Sequence, residues 1–256
     1  MQIKYKEANI YFTSRGSGKP LVLLHGFLES SEIWGELAAE LAQERQVICI
    51  DLPGHGNSGC FGEIHEMSEM ARAVKAVLDK LEIEKVSFAG HSMGGYVGLE
   101  FYNIFPTMVT ALVLVNSTPE ADSDERKRNR DRATRLVKEN KQAFVSMAIS
   151  NLLTRENNKK FRKELEVLKN SAMNIPTQGI TAALQGMKLR KDHTKLFAEY
   201  DGNKHIIAGE QDPVMDFERI KKIAATCKSR FKGFPDGHLA YMENTEALLN
   251  YLHFIE

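Results

Sequence analysis

The sequence predicts an α/β fold: a mostly parallel central sheet flanked by helices, with a helical insertion between two strands. Three observations predict it. Short apolar runs rich in Val, Ile and Leu recur and alternate with longer helical patterns. One of those runs leads through Gly90-His91-Ser92-Met93-Gly94 into a helical pattern. Between residues 120 and about 195 the alternation stops, and apolar residues recur only at helical spacing. At 256 residues the chain has one or two domains' worth of length and ample material for a core.

Residues 3–5 and 9–13 read as a polar-flanked antiparallel hairpin at a sheet edge. The runs at 21–24, 47–50, 86–89, 111–115 and 206–208 are strongly apolar, which suits strands buried on both faces of a parallel sheet. Helical patterns at 31–43, 65–81, 93–105 and 217–225 supply the crossovers. A last run at 229–233 and a helix at 244–254 close the chain.

The insertion opens with residues 120–132, where ten of thirteen are charged, five of each sign. That balance reads as a solvated helical face with offsetting i,i+4 pairs. Phe144, Met147 and Ala148, then Phe161, Leu165 and Leu168, then Ile180, Ala183, Leu184 and Met187 follow at helical spacing. Pro176 reads as the first residue of the last helix. Such stripes cannot be buried by the insertion alone. The expectation is a core domain of residues 1–119 and 196–256, and a helical cap of residues 120–195 over the carboxyl edge of the sheet, where open α/β sheets bind ligands.

Composition excludes several classes. Hydrophobic residues at 43% and charged residues at 27% are ordinary globular usage, not that of a disordered or fibrous chain. Lys plus Arg and Asp plus Glu each number 34, so the basic surplus of a nucleic-acid binder is missing. No apolar run approaches the ~20 residues of a membrane span, and the first residues lack the apolar stretch of a signal peptide. Cys49, Cys60 and Cys227 are odd in number and widely spaced, which fits neither a disulfide framework nor a zinc site. The expectation is a cytoplasmic monomer or homodimer with free thiols, acting on a small molecule, with no nucleic-acid or membrane partner.

The chemistry-bearing residues start at Ser92. G-x-S-x-G between a strand and a helix is a nucleophile elbow. The turn is too tight for side chains two residues either side of the serine, and it aims backbone N–H groups at developing negative charge. A glycine-rich packing turn is the bland alternative, and the strand and helix around it argue against that. A serine needs a base and an orienting acid. Of the histidines after Ser92, only His238 falls in a loop at the sheet's carboxyl edge. His193 lies in the insertion, His205 begins a strand and His253 is in the last helix. Asp212, just after the run at 206–208, is the acid candidate. Asp216 reads as a helix N-cap, and Glu120 belongs to the charged helix. The order Ser92, Asp212, His238 is nucleophile, acid, base.

With these motifs the sequence resembles the α/β-hydrolase superfamily, in its capped serine-hydrolase branch, over nearly the whole chain. His25-Gly26-Phe27 after a strand, and Asp51-Leu52-Pro53-Gly54-His55-Gly56-Asn57-Ser58 after the next, are further motifs of that superfamily. The resemblance implies that the N–H groups of Phe27 and Met93 form the oxyanion hole. It implies a Ser92–His238–Asp212 triad acting through an acyl-enzyme on small to medium carboxylic esters, with no cofactor and no metal. The Asp51 loop reads as structural, with His55 near the pocket. Trp34 and Tyr96 are candidate pocket walls. Serine at 92 disfavours the branches that form an ester on an aspartate. Gly95-Tyr96 departs from the Gly-Arg of the menaquinone-pathway lyase branch. Two rivals stay open: C–C bond hydrolysis or lyase chemistry, whose signature is positive charge converging on the pocket, and a ligand-binding protein on the same scaffold.

Overall fold

A computed structural model describes residues 1–255. Eight strands form one sheet: β1 (Gln2–Tyr5), β2 (Ala8–Arg15), β3 (Pro20–Leu24), β4 (Gln46–Ile50), β5 (Val86–His91), β6 (Val109–Val115), β7 (Asn203–Gly209) and β8 (Arg230–Phe234). Their order is β1-β2-β4-β3-β5-β6-β7-β8. β1 and β2 form the expected antiparallel hairpin, with β1 at the edge and β2 antiparallel to β4. From β4 to β8 every pairing is parallel. The central strands are the most apolar because helices cover both faces, and every residue of β5 is buried.

Those helices are α1 (Gly35–Leu41), α2 (Met67–Lys80) and α3 (Met93–Ile104) between strands. Between β6 and β7 come α4 (Asp124–Glu139), α5 (Lys141–Ser150), α6 (Arg155–Lys160), α7 (Arg162–Asn174), α8 (Thr177–Leu189) and α9 (Thr194–Glu199). The C-terminal part adds α10 (Phe217–Thr226), α11 (Ala240–Glu243) and α12 (Thr245–His253). α2 and α3 pack together on the sheet, while α4 packs on α8 and α5 on α7. No helix is long and apolar enough to cross a membrane among the described residues.

Two details of the insertion differ from expectation. α8 begins at Thr177, with Pro176 in extended backbone at the N-cap. The proline fixes the entry angle from outside the helix instead of occupying its first turn. In α5 the buried stripe is Phe144, Val145 and Ile149, and Met147 is exposed. The helix is rotated so that its β-branched residues face inward. In α7 and α8 Leu165, Leu168, Ile180, Ala183, Leu184 and Met187 are buried as read, while Phe161 stands just before α7 and is half-buried against the core.

Candidate active site

β5 ends in the elbow. Ser92 stands between β5 and α3 with φ 47° and ψ −111°, a left-handed backbone that a non-glycine residue adopts only under constraint. Its N–H donates to the Val115 carbonyl at 2.9 Å, and its own carbonyl accepts from Ser117 Oγ at 2.7 Å, so β6 holds the turn from the side. A Cβ on Gly90 would collide with the backbone of Gly94, and one on Gly94 with the Leu24 carbonyl. The elbow therefore sits hard against β3. Met93 opens α3, and a first-turn N–H has no intrahelical partner.

The last two loops meet Ser92. His238 Nε2 accepts from Ser92 Oγ at 3.1 Å, and His238 Nδ1 donates to Asp212 Oδ2 at 2.7 Å. Asp212 Oδ1 accepts from the N–H groups of Val214 (2.8 Å) and Met215 (3.1 Å), while Oδ2 also accepts from Asn116 Nδ2 at 3.1 Å. Burial opposes the charge on Asp212, but His238 and these N–H donors outweigh it and hold the carboxyl below its ordinary range. Asn116 follows β6 at φ 45° and also donates to the Gly237 carbonyl at 3.1 Å. One amide thus ties the Asp212 loop to the His238 loop. Glu120, the rejected acid, makes a two-pronged pair with Arg219 on α10 at 2.8 and 2.9 Å.

The loop after β3 carries Phe27 to the same pocket as Ser92. His25 fixes that loop: its Nε2 accepts from the Leu52 N–H at 2.9 Å and its Nδ1 donates to the Gly26 carbonyl at 2.7 Å. Asp51 accepts from the N–H groups of Ser31 (2.7 Å) and Asn57 (2.8 Å), which fits the structural reading of its loop. His55 is enclosed and does not line the Ser92 pocket; its ring packs edge-on to Phe27. Tyr96 does line it, whereas Trp34 is wholly buried against Tyr241.

Three features escaped the sequence reading. The first is a buried ion pair beside the site. Glu29 Oε2 accepts from His91 Nδ1 at 2.9 Å and from the Gly26 N–H at 2.5 Å, and Oε1 accepts from Tyr241 at 3.0 Å. His91 Nε2 then donates to the His238 carbonyl at 2.9 Å. Burial alone would discharge both partners. Each instead holds the other, Glu29 below and His91 above its ordinary value. The second is Asn116, for which no signal existed beyond its place after β6. The third is the charged helix α4. It is not solvated all round: Arg126 and Arg130 line the Ser92 pocket, and Asp122, just before the helix, is buried between Arg130 and Arg190. The i,i+4 spacing of Arg126 and Arg130 is shared by Arg128 and Arg132, so it did not single them out.

The pocket is about 120 Å³, bordered by Ser92 and His238 below and by Leu152, Met187 and the two arginines from the insertion. The cleft thus combines a hydroxyl bonded to an imidazole, an imidazole bonded to a carboxylate, and a helix N-terminus. That set can perform acyl transfer.

The comparisons agree with this architecture. The family model described as "alpha/beta hydrolase fold" matches residues 19–245. A thermophilic esterase from Thermogutta terrifontis superposes with a TM-score of 0.91 at 28% identity, covering 96% of this chain and 92% of that one. The enol-lactonase from Burkholderia xenovorans LB400, at 17% identity and TM-score 0.90, covers 99% and 98% and shares the fold. Among curated proteins, a putative carbamate hydrolase RutD from Azorhizobium caulinodans is 32% identical over 139 residues, 54% of this chain and 52% of that protein. The acetyltransferase component of an acetoin cleaving system from Pseudomonas putida is 44% identical over 100 residues, 39% of this chain and 27% of that protein. The matches thus span only about a quarter to a half of these two relatives. With most of its length matched by one family model, the chain belongs to the alpha/beta hydrolase fold family.

Proposed function

We propose that this hydrolase is a serine carboxylesterase acting on small to medium esters through a Ser92–His238–Asp212 triad. The observation that carries the reading is the unbroken hydrogen-bond chain from Ser92 Oγ through His238 to Asp212, opening on the pocket. In the reaction Ser92 Oγ attacks the ester carbonyl while His238 Nε2 takes its proton. Asp212 holds the proton on Nδ1 and stabilises the imidazolium. The N–H groups of Phe27 and Met93 receive the oxyanion, at roughly 3–4 kcal/mol per donor in comparable enzymes. His238 returns its proton to the leaving alcohol, then activates a water that cleaves the acyl-Ser92 ester. Residues 120–195 act as the cap, and the reading calls for no cofactor or metal. The reading also assigns a small-molecule partner, a monomer or homodimer, and the reducing cytoplasm that suits the three free thiols.

A p-nitrophenyl ester series of increasing acyl length tests this. Turnover should favour the shorter chains and fall to a residual level in Ser92→Ala. Equal turnover by that variant removes Ser92 as nucleophile. A second reading, C–C bond cleavage on the same residues, is favoured by the arginines at the pocket. Product analysis separates the two, since ester cleavage releases an alcohol and C–C cleavage does not.

A further inference from the structure

Arg126 and Arg130 lie four residues apart and so share one face of α4, and both border the pocket that holds Ser92 and His238. Resting on the esterase reading above, we propose that the pocket takes an ester that also carries a free carboxylate close to its scissile carbonyl, with these two arginines as the carboxylate's partners.

The charge balance around the pocket supports this. Arg126 donates to the Val214 carbonyl and pairs with no carboxylate among the described residues. Arg130 Nε donates to Asp122 Oδ2 at 3.1 Å. Asp122 is fully enclosed and is shared with Arg190, whose Nη1 donates to Oδ1 at 2.6 Å. One carboxylate therefore stands between two guanidinium groups, and a third guanidinium has no acid. Arg190 in turn lies 4.0 Å over the ring of Tyr96, which walls the pocket, and its Nη2 is buried with no partner. The acid that borders the pocket, Glu29, is spent on His91, the Gly26 N–H and Tyr241. Of the three, Arg126 and Arg130 border the pocket, so its cap side carries two guanidinium groups with only the shared Asp122 to answer them.

Arg126 and Arg130 are half-buried at the pocket, and an anion arriving with the substrate completes forks that protein carboxylates leave open. A neutral ester gives them nothing to bind. A guanidinium presents a planar fork that fits a carboxylate. Asp122 keeps Arg130 aimed from behind, and the Val214 carbonyl does the same for Arg126. Size narrows the class further. The void of about 120 Å³ is well below the roughly 300–1,000 Å³ of ordinary ligand clefts. The carboxylate must therefore sit only a few bonds from the carbonyl that Ser92 attacks, as in a short dicarboxylic half-ester. Phe27, Leu152 and Met187 supply an apolar wall for the intervening carbons.

The test compares monomethyl succinate with methyl 4-methylpentanoate, which puts an isopropyl group in place of the carboxylate. Initial rates are followed by pH-stat for the full-length protein. The charged-to-neutral ratio of kcat/KM should be about ten- to hundred-fold in favour of the half-ester, the worth of one charged hydrogen bond. Arg126→Gln should bring that ratio down towards one, and Arg126→Lys should retain part of it. In parallel, succinate should slow labelling of Ser92 by a fluorophosphonate in the wild type and not in Arg126→Gln. A ratio of one or less in the wild type, with labelling indifferent to succinate, overturns the proposal. Slowing by inorganic phosphate but not by succinate overturns the carboxylate assignment in favour of a phosphate group. If Ser92 takes no label at all, the esterase reading fails, and that result is distinct from the others.

Discussion

Asp212→Asn removes one charge and changes no atom positions, and the surrounding bonds dictate what it does. Oδ1 of Asp212 accepts two backbone N–H groups, from Val214 and Met215. In the variant the amide oxygen must keep that place. The new NH₂ then takes the place of Oδ2, facing His238 Nδ1 at 2.7 Å and Asn116 Nδ2 at 3.1 Å, both donors. Asn116 can turn its amide over, because its Oδ1 has no partner, at the expense of its bond to the Gly237 carbonyl. His238 can only move its proton from Nδ1 to Nε2. In that tautomer Nε2 no longer accepts from Ser92 Oγ, and the base is lost. The precedent for such a tautomer switch is a fall of about 10⁴ in kcat, which is about 5 kcal/mol of barrier. The fold should survive, since the backbone bonds to Oδ1 remain. Steady-state turnover of p-nitrophenyl acetate, with circular dichroism as a check on folding, reads this directly. Glu120→Gln is the control and should change little, because Glu120 pairs with Arg219 and does not line the pocket. Activity within about tenfold of wild type for a folded Asp212→Asn protein refutes the reasoning.

Glu29→Gln should cost about 3–5 kcal/mol of stability, because it strips the counter-charge from the buried His91 while the rest of the site stays closed; an unchanged urea midpoint would contradict this. Gly94→Ala should cost about 1–3 kcal/mol and disturb the elbow, since the added methyl meets the Leu24 carbonyl, and a protein as stable and active as wild type would count against that contact. Acid should destabilise the fold before its carboxylates titrate. Burial pushes His55 down to about 3, whereas in the unfolded chain a histidine protonates near ~6.5. Below ~6.5 the unfolded state binds the extra proton, so stability falls by about 1.4 kcal/mol per pH unit for this group, and the loss is complete near its folded value. His25 and His65, also lowered by burial, act in the same direction. The urea midpoint should therefore drop measurably between pH 7 and pH 5, and a flat profile would refute the neutral buried histidines.

The legibility of this protein follows physical locality. The inner stretches of β3 to β7 were readable because a strand covered on both faces must be largely apolar, whereas β8, at the edge with Arg230 and Lys232 exposed, offered a weaker pattern. Ser92 was readable because its turn needs glycines at fixed offsets, and the collisions at Gly90 and Gly94 are the reason. Asp212 and His238 needed only chain order and a place after a strand. What could not be read depends on how distant surfaces meet. Thirteen residues with charges of both signs look alike from every side of a helix, so nothing local says that Arg126 and Arg130 face the site while their neighbours face water. Glu29 had no signal either. Its partners His91 and Tyr241 are 62 and 212 residues away in sequence, and only the folded sheet brings them together. Pro176 missed its position by one residue because a proline is equally comfortable just outside and just inside a helix start.

The proposed reaction stands on Ser92 as nucleophile, activated by His238. Its most direct test is reaction of the intact protein with a fluorophosphonate, followed by whole-protein and peptide mass spectrometry. One adduct per chain on the peptide containing Ser92 is expected, formed far more slowly in His238→Ala and not at all in Ser92→Ala. An adduct on another residue, or labelling at an equal rate without His238, would contradict the account.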